Sequence, residues 1–277
     1  MQQPGKRLSQ IMILLILSSV TGCAKPADKG VDHPFGPKQV SAALWLRCQG
    51  YRVELPAEVR PDDIAALSEI GPINLNEGDA QFWERNGLKL HHASVEQWRQ
   101  IWAQVSQLGG RIATQTTAVL HSEQEFAEFY LAQLVKARTI FVAGKKGQGL
   151  RGYSLQPGQG ILRVSLMPDH RHSKQRAIAC YLVPVFEGQP GRVRLQLDDD
   201  GEPVRRADQL EIIFEPLFAG TTLFEEEALM ILPDSEMDAS ALGSIYFPES
   251  FEPDGRYSFF VLIPKYVTAY QMETPWL

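Results

Sequence analysis

Residues 178–186 read IACYLVPVF. Nine consecutive residues with an apolar body leave no wet face, and a strand of that kind belongs in the middle of a sheet, covered on both sides. Working outward, the same grammar repeats. Thr139–Ala143, Leu150–Leu155, Ile161–Met167, Val193–Leu197 and Leu210–Phe218 are strand-like runs. Turn signals separate them: Gly144-Lys145-Lys146-Gly147, Pro157-Gly158-Gln159-Gly160, Gly188-Gln189-Pro190-Gly191 and Asp200-Gly201. Val193, Leu195 and Leu197 alternate with Arg192, Arg194 and Gln196, so that strand has one solvated face. Leu223–Leu232, Ser244–Phe247 and Tyr257–Val267 continue the series. Short connections between successive strands predict an antiparallel meander, folded as a sandwich or a partly open barrel.

Upstream the pattern is mixed. Tyr51, Val53 and Leu55 alternate with Arg52 and Glu54 as a strand that Pro56 ends. Pro61-Asp62-Asp63 opens a short helix whose buried side is Ile64, Leu67 and Ile70. Ile73–Leu75 and Leu88–Leu90 read as short strands around turns at 76–79 and 86–87. Ser94 and Gln97 form a capping box before Val95, Trp98, Ile101, Trp102, Val105 and Leu108, a helix that Gly109-Gly110 stops. A second capping box, Ser122 with Glu125, precedes Phe126, Phe129, Tyr130 and Leu134 at helical spacing, while Phe129–Val135 equally suits a strand. The expected fold class is α+β: a small α+β unit over residues 41–116, then a mainly antiparallel β-rich domain over 117–277. In element order the small unit is similar to the ring-building modules of secretion complexes.

The N-terminus carries a different message. Lys6 and Arg7 precede the apolar run Ile11–Leu17, which small residues follow, the layout of an export signal over residues 1–22. Val20-Thr21-Gly22-Cys23 resembles the lipobox of bacterial lipoproteins. The resemblance implies a diacylglycerol on the Cys23 thiol, cleavage before Cys23 and acylation of the new amino group. Two or three acyl chains hold a protein on a membrane where one does not. Ala24 after the cysteine favours the outer membrane by the same resemblance. Residues 23–40, rich in Pro, Gly and charge, form a tether. With Cys23 acylated, Cys48 and Cys180 remain: a disulfide closing a long loop, or two buried thiols.

Chemistry-bearing motifs are sparse. Asp169-His170-Arg171-His172 is the best metal candidate, because Asp169, His170 and His172 could share a cation, with Arg171 and Lys174 arguing against it. His91-His92 on a strand point to opposite faces. Gly144–Gly149 has glycine spacing but no Lys-Ser/Thr of a phosphate loop, and Asp198-Asp199-Asp200 lacks the spacing of an EF-hand. There is no Gly-x-Ser-x-Gly elbow and no His-Glu-x-x-His. No cofactor is expected. Loss of Lys6 and Arg7 with the signal takes the formal charge from −6 to −8, with no basic stripe, which excludes nucleic acid as a main partner. The expectation is a membrane-anchored envelope lipoprotein, non-enzymatic, structural or protein-binding. The alternatives are a ligand- or lipid-binding β module, marked by a large apolar cavity, and a metal-dependent hydrolase using His170 and His172.

Overall fold

A computed structural model describes residues 45–120 except 74 and 76, then 126–144, 149–171, 176–189, 194–197, 203–206 and 211–267 except 226, 235, 237, 253 and 254. The export signal, Cys23 and the tether lie outside the described residues. So do His172, the Ser122–Glu125 cap and the Asp198–Glu202 run. Residues 42–277 form one compact unit.

Fifteen strands are described: β1 Trp45–Glu54, β2 Gly71–Pro72, β3 Leu88–Ser94, β4 Arg111–Leu120, β5 Ala127–Leu134, β6 Arg138–Ala143, β7 Leu150–Leu155, β8 Gly158–Asp169, β9 Ala177–Gly188, β10 Arg194–Leu197, β11 Pro203–Arg206, β12 Glu211–Ile213, β13 Ala219–Phe224, β14 Glu227–Pro233 and β15 Ser258–Val267. Four α-helical segments join them: α1 Ala65–Ser68, α2 Glu77–Arg85, α3 Val95–Gln107 and α4 Gly243–Tyr246. The first sheet runs β2-β3-β14-β15-β1-β4, and the second runs β12-β9-β8-β5 with β13 also on β9. Every pairing within these sheets is antiparallel. The second sheet is open, so the fold is α+β with a β sandwich and not a closed barrel.

Period-two patterning assigns the layers. On β15, Phe260 and Leu262 face the second sheet and join one core with Leu46, Phe129, Val164 and Leu182. Phe259 and Val261 face the other way, into a core with Trp98, Ile101 and Val105 of α3. Helices thus cover one face of the first sheet and the second sheet covers the other. The run at 178–186 is the body of β9, paired on one side to β8 and on the other to β12 and β13, so it lies inside the sheet; Tyr181 and Val183 on its outer face are only half-buried. α3 begins at its capping box: Gln97 N donates to Ser94 Oγ at 3.1 Å and Ser94 N to Gln97 Oε1 at 2.8 Å.

Several local readings change. Residues 127–134 are strand β5, because pairing to β8 satisfies a segment that both periods fit. Residues 77–85 form α2 where a turn is expected; it buries Phe82 and Trp83. Ser244–Phe247 is expected to be a strand, yet residues 243–246 make one helical turn. Tyr246 is buried there, and its hydroxyl donates to Val185 O at 3.0 Å. Leu210–Phe218 is divided into the short β12 and a 3-10 turn at Glu215–Leu217, and Leu223–Leu232 into parts of β13 and β14. The division at residue 116 differs most. β14 and β15 return to the first sheet, and β15 lies beside β1 over ten register pairs. Such long-range pairing leaves no trace in a local hydropathy pattern.

Candidate functional site: the outer face of the second sheet

Odd-numbered residues of β8 and β9 face away from the sandwich. Register carries one row across the sheet from Tyr130 through Ile161 and Val185 to Ile213; only its two ends are open, because Ile161 and Val185 are buried. The next row is Glu128, Arg163 and Val183, and beyond it lie Ser165, Tyr181 and Gly220. Large apolar side chains stand open to solvent here: Phe126 and Tyr130 at 52%, Phe218 at 51% and Ile213 at 44%. Phe218 stacks on Tyr181 with centroids 5.7 Å apart and planes at 18°. A Cβ at Gly220 would come within 3.0 Å of the Tyr181 ring, so glycine is what lets that ring lie flat across β13.

One cation sits amid this face, held between two carboxylates. Arg163 Nε donates to Glu128 Oε1 at 2.8 Å, and its guanidinium also pairs with Glu211. The Phe126 ring lies 4.9 Å from the guanidinium carbon. Burial and the carboxylates of Glu128 and Glu187 push the Tyr130 phenol up, so it stays a neutral donor. The result is an aromatic face with a fixed, ion-paired centre. Tyr, Phe and Arg in such a setting are the residue types that dominate protein interfaces.

Of the metal candidate, Asp169 and His170 are described and His172 lies outside the described residues. Arg171 holds Asp169 by two guanidinium bonds of 2.8 and 2.7 Å, its own N–H adds one of 3.1 Å, and Thr222 Oγ1 donates at 3.0 Å. Arg171 holds that carboxyl well below its usual range. Its lone pairs are spent on donors within the chain, and His170 is exposed. Among the described residues no three metal-binding side chains converge. His91 is half-buried, and burial lowers its imidazole.

Cys48 and Cys180 are free thiols in place of a bridge, both fully buried in the core between the sheets. Burial pushes the Cys180 thiol up to about 12 and Cys48 higher than its ordinary value, which leaves no thiolate for exchange. The apolar cavity lined by Trp83, Leu131, Leu162 and Tyr246 measures about 10 Å³, less than an acyl chain or sugar needs. A polar cleft of about 320 Å³ lies at one end of the sandwich, between Glu54, Arg111, Glu249, Arg256 and Ser258. Two of its carboxylates are paired: Glu54 with Arg111 at 2.8 Å, and Glu249 with the neighbouring Arg52 at 2.8 Å.

Sequence reasoning missed Phe126, Tyr130, Ile213 and Phe218. Their signal was present in part: once 127–134 is a strand, Glu128 and Tyr130 share a face opposite Phe129. Nothing local tells which face is wet.

No protein-family model matches the chain, and no curated protein matches it. Among solved structures it is similar to a chain described as the InvG secretin domain beta-barrel from the Salmonella SPI-1 injectisome NC-base. That similarity has 14% identity and a TM-score of 0.18, covering 81% of this chain and 61% of that one. At that TM-score the likeness carries no argument, and the function is read from the surface above. No helix among the described residues is long and apolar enough to cross a membrane.

Proposed function

We propose that the protein is a non-enzymatic envelope lipoprotein that binds a protein partner. Acyl chains on Cys23 hold it to a membrane, the outer membrane in a two-membrane cell, and the outer face of the second sheet docks the partner. The observation that supports docking is the set of half-exposed Phe126, Tyr130, Phe218 and Ile213 flanking the ion-paired Arg163. Scattered apolar side chains are ordinary on a surface; here Phe126 and Tyr130 stand at one edge of a sheet face and Ile213 and Phe218 at the other, and a partner spanning the face would cover both. Arg163 is outnumbered by the Glu128 and Glu211 carboxylates, so the matching partner surface is apolar with neutral or basic groups facing that cluster.

The test places a photo-crosslinking amino acid at Tyr130 in the full chain in cells. A discrete adduct that Phe218→Ala weakens supports the reading; no adduct from Tyr130 or from Phe218 sinks it. The anchor is tested separately by labelling with an alkyne palmitate analogue. Label should enter the wild type and be absent from Cys23→Ser. The filled core between the sheets favours no second reading as a lipid- or ligand-binding module.

A further inference from the structure

β4 ends the order of the first sheet, and among the described residues its only strand partner is β1. It is also unusually bare. Thr114, Gln115, Thr116 and Thr117 are exposed, although alternate members point toward opposite faces. The strand therefore overhangs the sandwich, with neither the helices nor the second sheet beneath its centre. A register shift beside Ala113 sets off the segment 114–120, read TQTTAVL, which carries no charge and no proline.

Proteins blunt such edges with short strands, proline, charge or bulges, and other edges of this molecule do so. At the far end of the same sheet, β2 is two residues long and one is Pro72. On the second sheet, the edge strand β5 carries a bulge between Tyr130 and Ala132, the charged Glu128, and an Arg52 guanidinium capping Leu131 O. β4 has only the bulge and Arg111, both at one end.

We propose that β4 is the seam of a homodimer, in which two copies pair residues 114–120 antiparallel and join their first sheets into one. Self-complementarity of the uncharged segment points to a second copy as the occupant. An antiparallel two-fold pairing sets Thr and Gln against Thr and Gln, which suits cross-strand contacts between wet faces. It also sends the sole charge of the strand, Arg111, to opposite ends of the ribbon, outside the seam. No like charges meet across the seam. The two bodies, each a formal −8 once the signal with Lys6 and Arg7 is removed, repel at neutral pH, so added salt strengthens association by screening.

The experiment uses the full chain in mild detergent, with protein mass read by light scattering after subtraction of the micelle. Wild type at roughly 50 µM, above the micromolar range of weak dimers, is expected at twice the chain mass. Gln115→Lys/Thr117→Lys is expected to be monomeric, and so is Gln115→Glu/Thr117→Glu. Residues 115 and 117 share a face, so mixing the two variants sets lysine against glutamate in any register and restores the dimer. Both variants change exposed side chains, and an unchanged far-ultraviolet spectrum checks their fold. A wild-type monomer overturns the proposal, and so does a lysine variant that stays dimeric or a mixture that fails to associate. Tyr130→Ala/Phe218→Ala leaves the dimer intact; loss of the dimer in that variant moves the interface to the aromatic face and also overturns the seam.

Discussion

At the scale of single residues, two positions make sharp demands. A Cβ added to Gly50 on β1 would lie 2.4 Å from Phe129 and 2.6 Å from Phe260, whose rings meet across the sandwich at 5.5 Å. Gly50→Ala therefore overpacks the contact between the sheets. We expect a loss of ~1–3 kcal/mol, read as a lower denaturant midpoint with an unchanged slope; a neutral result would show that the rings have room to yield. Asp169 makes the other demand. Its carboxyl is held down by Arg171, so its stabilising contribution is present above the unfolded value near pH 4 and lost as pH falls through its folded value. Asp169→Asn should melt lower than wild type at pH 7, and the gap should close on acidification toward pH 2. A gap that stays constant with pH would refute that assignment. His91 works on a different window. Burial lowers its imidazole, so the folded state loses stability as pH falls below about 6.5, and His91→Gln should flatten the melting temperature between pH 7 and 5.

At the scale of elements, what the sequence discloses depends on whether local chemistry decides the outcome. The cap of α3 is such a case: Ser94 and Gln97 are three residues apart and their two hydrogen bonds need nothing else. Ser94→Ala should cost about 1 kcal/mol, measured by equilibrium unfolding, with Ser94→Asp retaining most of it. β9 was legible because nine apolar residues admit one placement. β4 was not, since a threonine-rich edge wet on both faces shows neither alternation nor an apolar run. α2 hid behind Gly78 and its charged residues, although Phe82 and Trp83 fill the core beneath it. For 127–134 the sequence fitted two periods, and only the presence of β8 decides between them. The candidate docking face was illegible for a related reason: Phe126 and Tyr130 read as core until the sheet shows which way they point.

At the scale of the molecule, the burial of both core cysteines offers a count that links fold and anchor. A disulfide reagent at pH 8 should find neither Cys48 nor Cys180 in the native protein, because both are shielded and neither is ionised. In denaturant the membrane-extracted protein should show two thiols and Cys23→Ser also two, while unprocessed precursor shows three. Three thiols in the extracted form would mean that Cys23 is not acylated.

The pairing of Trp45 with Val267 has a consequence in time. β1 leaves the ribosome early, yet its neighbour β15 is the last strand described. Throughout synthesis the first strand waits for a mate more than two hundred residues away, so the first sheet closes only after nearly the whole chain has emerged. Contacts of such long sequence separation form slowly. The second sheet, whose strands all lie between residues 127 and 224, can close before β15 is made, so the last event of folding is the insertion of β15 between β1 and β14.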